Sequence, residues 1–302
     1  MAPETLQEIL DFDARGFMPM PGESGEDFAA RTREILTRHG ELMRELEENG
    51  KTTVFDDVEL SFDERIGEEI VSEAADLTWG LYRFKSTHVP GFFLSRAVGL
   101  LWGGCMIADP DEKISVFLIR NAFKTRSRWL FYRRNELLAH ELCHSMHQDI
   151  MEQELEEFFA YQTSPSVLRR YLGNCFIRDL DALFFVIPTL VLLAAVMLQS
   201  FFFSRMIVWP FWILAVVYPA FLLIRNARAR SRVFRAKRCL ETAGFSDTAM
   251  AILFRCRCVE LDEIAALPPE RESVTAYVRS MAEKELRWKI ILHRFIDNTE
   301  QL

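Results

Sequence analysis

The run His140-Glu141-Leu142-Cys143-His144 sets two imidazoles four residues apart with a carboxylate between them. On an α-helix the two histidines share one face, so a ring nitrogen from each can reach a single Zn²⁺ at about 2.0–2.1 Å. Glu141 projects about 100° round the helix from His140, beside the metal, where it can act as general base and acid on a zinc-activated water. The same carboxylate can deliver that proton to a leaving amine, as cleavage of an amide bond requires, so a peptide or protein substrate is the partner to expect. A chain of this composition holds roughly 0.01 such patterns by chance, so the match carries weight. The alternative is a metal-binding regulatory or interaction protein at the membrane, and an intact Glu141 favours hydrolysis over it.

A catalytic zinc takes three protein ligands and keeps one position open. His147 lies too far along the same rigid helix to converge with His140 and His144. The next segment, Glu152–Thr163, offers Glu152, Glu154, Glu156 and Glu157. If the chain turns back near Ile150 and Met151 into an antiparallel helix pair, a residue level with the histidines falls about six to ten positions past the turn. Glu157 fits that window best and Glu156 second. Tyr161 shares a face with Glu157 and is a candidate donor to a tetrahedral oxyanion. Cys143 points about 80° away from the metal direction and reads as a small packing residue.

These residues carry a family resemblance over about Asn135–Tyr161. HExxH followed by Glu157 on a second helix resembles the gluzincin zinc peptidases. Glu157-Phe158-Phe159-Ala160 is similar to the ExxA part of the ExxAD signature of CAAX-prenyl-protease and HtpX-like membrane peptidases. The resemblance implies Glu157 as the third zinc ligand, peptide hydrolysis as the reaction and an edge strand that aligns substrate, a part Ile114–Ile119 is placed to play. The chain departs from the pattern in carrying Tyr161 where that signature has Asp, and in its short spacing between His144 and Glu157.

Several elements must position this site. Asn135–Asp149 reads as a helix whose Leu138, Leu142 and Met146 form an apolar stripe opposite the two histidines. The runs Val89–Leu94, Gly104–Ala108 and Ile114–Ile119 read as strands, with Asp109-Pro110-Asp111 as the turn between the last two. Further upstream, Ser24 and Asp27 resemble a capping box opening a helix over Gly25–Glu48, and a second helix is expected over Glu59–Thr78. The first fifty residues read as helical and solvent-facing. The acidic Met1–Leu10 stretch does not read as a cleavable signal peptide.

Half the chain is hydrophobic and 25 residues are Phe, and much of this apolar excess lies between about Leu180 and Ile224. Leu183–Phe203 and Met206–Ile224 carry no charge and are each long enough to cross a bilayer, with Ser204 and Arg205 between them. Pro188, Pro210 and Pro219 are tolerable there, and Trp209 and Trp212 suit an interface. Arginines crowd both flanks, so the positive-inside rule puts both termini and the site in the cytoplasm. The six cysteines form no CxxC pair and read as free thiols of a reducing compartment. A formal charge of −8 argues against nucleic acid as a partner.

The expectation is therefore a mainly helical α+β protein in three parts: a zincin-like domain over 1–178, with N-terminal helices, a small sheet and the HExxH helix; a two-helix transmembrane hairpin over 179–225; and a helical C-terminal module over 226–302. In that module the helix after the second span is expected to run to Thr242. Helices over Asp247–Val259, Leu261–Leu267 and Ser273–Ile296 then follow.

Overall fold

In the computed structural model, which describes residues 3–55, 58–94, 102–109, 113–150 and 152–297, the chain opens with α1 (Pro3–Ala14) and α2 (Gly25–Asn49). The Ser24 hydroxyl accepts the Asp27 N–H at 3.1 Å, as the expected cap requires. These helices face solvent on one side only. Ile9, Phe12, Phe17 and Phe28 are buried against Leu286 and Ile290 near the C-terminus, because an amphipathic helix needs a partner to bury its apolar stripe.

The helix expected over Glu59–Thr78 is shorter and starts later. β1 (Lys51–Val54) pairs with β2 (Val58–Ser61), whose alternation buries Leu60, and only past Gly67 does α3 (Glu68–Tyr82) begin. Next come β3 (Gly91–Leu94), β4 (Gly104–Asp109) and β5 (Ile114–Arg120). β5 lies in the middle, parallel to β3 and antiparallel to β4. Ile114–Ile119 is thus a central strand, buried on both faces over Val116–Ile119, and cannot align a substrate by its edge. β4 is the edge strand that faces the histidine helix. The turn expected at Asp109-Pro110-Asp111 lies largely outside the described residues.

A short helix, α4 (Ala122–Thr125), and a two-residue hairpin, β6 (Arg128–Trp129) and β7 (Tyr132–Arg133), lead into α5 (Arg134–His147). Leu138, Leu142 and Met146 are buried, as their spacing requires. α6 (Gln153–Gln162) returns alongside α5, and Leu155 and Phe159 seal the pair from behind. Tyr82 of α3 donates to the Phe159 carbonyl at 2.7 Å and fixes α6 to this core. Gly104 has no room for a side chain: a Cβ there would meet Ile119 and the Leu118 carbonyl at 2.9 Å and Leu137 of α5 at 3.2 Å. Its bareness lets β4 lie directly on α5.

After α7 (Val167–Leu172), two helices among the described residues are long and apolar enough to cross a membrane, α8 (Asp179–Phe201) and α9 (Trp209–Thr242). Only 17% and 11% of their most apolar windows are buried, the reverse of a soluble core helix. Their connection, Phe202–Val208, is longer than the Ser204-Arg205 turn expected. α9 does run on to Thr242. The remaining helices are broken where two continuous ones were expected. α10 (Ala249–Phe254) stops before Arg255, whose buried guanidinium pairs with Asp13 at 2.8 Å, and α11 (Cys258–Ala266) starts anew. α12 (Arg271–Ala282) and α13 (Leu286–Ile291) are separate, at a point where Arg287 bonds Glu285 at 2.9 Å and Glu260 at 2.6 Å. Phe254 stacks on Tyr82 and meets Phe159, so this C-terminal part packs against the back of the α5–α6 pair.

Candidate metal centre

α5 supplies His140 and His144 on one face, and α6 brings Glu157 opposite them. His140 Nε2 and His144 Nε2 are 3.1 Å apart. The Glu157 carboxylate lies 3.7 Å from the first and 3.6 Å from the second. Four-coordinate zinc with ligand bonds of about 2.0–2.1 Å requires ligand–ligand edges of about 3.4 Å. The two nitrogens and the facing carboxylate, whose Oε2 is the oxygen 3.7 Å from His140 and whose Oε1 is the oxygen 3.6 Å from His144, are thus spaced as ligands of one such ion would be. Together they are a His/His/Glu group with all ligand atoms within 4.8 Å of one another.

Glu156, the second candidate for the third ligand, sits elsewhere. Its carboxylate accepts from Nδ1 of His144 at 2.7 Å, which makes Nε2 the nitrogen of that ring left to coordinate a cation in exchange for its proton. Hence both candidate carboxylates are in the site, with different parts to play. His147 points away from the cluster, buried against Phe159 and Phe254. Cys143 is buried among packing residues, as its angle implied.

Electrostatics within the cluster follow from burial and from the crowding of its acids and imidazoles. Burial, then the charges of His144 and Arg169, holds the His140 imidazole well below its ordinary range. Burial also works to lower His144, but its hydrogen bond to Glu156 and the charges of Glu157, Glu141 and Glu156 outweigh it and push it up to about 9. Burial raises Glu157 to about 7 against the pull of His144, with Glu141 and Glu156 adding to the rise. Carboxylates crowded on two close imidazoles are a donor set suited to a divalent cation.

Glu141 is buried beside this group, and its Oε2 accepts the Met106 N–H of β4 at 3.0 Å. Burial lifts its carboxyl above the usual range, against the pull of His144 and the Met106 bond. The Tyr161 ring packs edge-on to His140 with centroids 4.6 Å apart, and burial, then the Glu157 charge, pushes its phenol up to about 12. It therefore stays protonated, as a donor must.

Sequence reasoning missed three contributors. The Met106 N–H has no side-chain signature. Arg169 of α7 pairs with buried Glu136, and its guanidinium lies 5.0 Å from the Tyr132 ring centroid and 5.9 Å from that of Tyr161. Glu136 was legible in principle, being four residues before His140 on the same face, whereas Arg169 reads from sequence only as a flanking charge. Comparison with family models, with curated proteins and with solved structures yields no match for this chain.

Proposed function

We propose that this protein is a membrane-anchored, zinc-dependent metallopeptidase of the gluzincin kind, with His140, His144 and Glu157 as the ligands. The observation that carries the proposal is the group of two imidazole nitrogens 3.1 Å apart with the Glu157 carboxylate 3.6–3.7 Å from both, flanked by Glu141. A zinc ion held there supplies Lewis acidity and brings the pKa of water toward neutrality. The residues of the chain do the rest. Glu156 holds His144 in the tautomer that presents Nε2. Glu141, raised by burial, accepts a proton from the attacking water and passes it to the departing amine. Tyr161, beside His140, donates to the oxygen that gains charge as the carbonyl becomes tetrahedral. β4 presents its outer edge next to Glu141, so an extended peptide can add to it as a strand.

The exposed apolar surfaces of α8 and α9 support a two-span anchor, and the arginines at its flanks favour both termini and the site on the cytoplasmic side. The test uses the full chain in nanodiscs. Purified protein should hold about one zinc, lost in His140→Ala. Glu141→Gln should keep the metal and cleave an unfolded protein substrate at least about 100-fold more slowly. Cleavage unchanged in Glu141→Gln overturns the proposal.

A further inference from the structure

α7 is turned inside out. Val167, Leu168, Tyr171 and Leu172 occupy one side of this helix and are all exposed, with Val167 at 72% and Leu168 at 66%. The opposite side carries Arg169 and Arg170, which face the protein: Arg169 pairs with Glu136, and Arg170 donates to the Ser164 carbonyl at 3.0 Å. A helix in water buries its apolar side and solvates its charges. The β6–β7 hairpin repeats the inversion, for its tip residues Leu130 and Phe131 are 56% and 59% exposed. Tip and helix are adjacent, since Leu130, Phe131, Pro165, Ser166 and Arg169 line one surface cavity of about 340 Å³. A joined apolar patch of this kind marks an interaction surface.

Depth and charge identify the occupant. The Tyr171 carbonyl accepts from Asn226 at 2.6 Å and the Arg170 carbonyl from Arg230 at 2.7 Å. These partners lie two and six residues past Ile224, the last residue of the uncharged stretch of α9. At helical rise that is about 3 and 9 Å beyond the hydrocarbon. A headgroup layer is about 5–8 Å thick, so α7 reaches from within it to its outer boundary. Residues 126–134 contain four arginines and 165–178 contain three, and neither stretch has an acidic residue in a chain of net charge −8. Arg128 and Arg133, which line that cavity, are exposed, as are Arg126 and Arg178 in the same two stretches. Trp129 and Tyr132 beside the tip are the aromatic types that favour the interface.

We infer that the β6–β7 tip and the outer face of α7 form an interfacial seat on an anionic bilayer, continuous with the helical hairpin. Its apolar residues enter the headgroup–acyl boundary while the arginines around them meet anionic headgroups. The inference rests on the hairpin crossing a membrane and not on the metal chemistry. Its consequence is positional. Arg169, on the inner side of this seat, lies against Tyr161, which packs on His140, so the candidate metal centre is held close to the bilayer surface.

The test is spin labelling of the full chain, with the half-buried Cys105 and Cys258 changed to Ser. Labels are placed at Phe131→Cys and, separately, at Leu168→Cys, with Val259→Cys, exposed on α11, as the water reference. In nanodiscs of mixed phosphatidylglycerol and phosphatidylcholine, the first two labels should relax several-fold more with dissolved oxygen than with a water-soluble nickel chelate. The reference should show the opposite. Omitting phosphatidylglycerol should shift both labels toward water. Water-like labels at both positions in the anionic discs overturn the seat and leave a protein or peptide as occupant. Lipid-like labels indifferent to phosphatidylglycerol overturn the part assigned to the arginines. The readout needs neither metal nor activity, so it fails separately from the peptidase proposal.

Discussion

The Nδ1 nitrogen of His144 donates to Glu156 at 2.7 Å, and this bond turns Nε2 of the same ring toward His140 and Glu157. On the proposed metal site, two neighbouring carboxylates would thereby divide into one that holds a ligand and one that is a ligand. Glu157→Ala should abolish stoichiometric zinc binding. Glu156→Gln, which can still bond Nδ1 as a neutral acceptor, should weaken it about 10–100-fold. Competition against a chelator separates the two. Equal losses would mean that the carboxylates share the metal.

Gly173, between α7 and α8, touches the site through Tyr161. A Cβ built on it would overlap the ring carbons of Tyr161, so the backbone at Gly173 lies flat against that side chain. Gly173→Ala must displace the ring that packs on His140, at a cost of about 1–3 kcal/mol. Thermal stability and peptide cleavage should both fall. Removing the ring should relieve the strain, so Tyr161→Ala combined with Gly173→Ala should be more stable than the sum of the single changes predicts. Strict additivity would show that the contact carries no strain.

How much of this was legible in sequence depended on how local the cause was. The histidine face, its apolar backing and the position of Glu157 followed from helical geometry within about twenty residues. The two apolar helices followed from length and composition. What failed was set by distant partners. No local pattern at Phe12 or Phe28 announces Leu286 and Ile290, so the solvent-facing expectation held for the polar sides of the first two helices and failed for their apolar sides. The break at Arg255 is fixed by Asp13, 242 residues away. The edge strand was misassigned because strand order is a tertiary property: hydrophobic runs mark Gly104–Ala108 and Ile114–Ile119 as strands but not which is central.

That same Asp13–Arg255 pair ties α1 to the start of the C-terminal helices. Both side chains are buried; Arg255 bonds Asp13 at 2.8 and 2.9 Å and the carbonyl of Tyr82 at 2.9 Å, and Arg294 also reaches Asp13. Removing the carboxylate leaves two guanidinium groups facing each other without a counter-charge. Asp13→Ala should destabilise the chain by about 3–5 kcal/mol. Because the pair lies away from the metal centre, zinc stoichiometry of the protein that remains folded should be unchanged. A chemical-unfolding midpoint equal to that of the parent chain would contradict this account.

Acid should weaken the fold through His39. Its Nε2 accepts the Ser115 N–H at 3.1 Å, joining α2 to the start of β5, and its ring stacks on His88 with centroids 5.8 Å apart. Burial lowers His39 to about 4, against a small opposing contribution from the His88 backbone. His88, itself stacked on Phe17, is also held well below its ordinary range by burial, then by His39 and Arg15. The sign follows. Above about pH 6.5 the ring is neutral folded or unfolded, and its contribution is complete. As pH falls from about 6.5 to about 4, only the unfolded chain takes up the proton, so up to about 3 kcal/mol is lost at His39. Protonation would also place a hydrogen on the nitrogen that Ser115 needs as its acceptor. His39→Gln, able to accept that N–H but not to titrate, should flatten the decline in melting temperature across this range. If its pH profile tracks that of the parent chain, the acid sensitivity arises elsewhere.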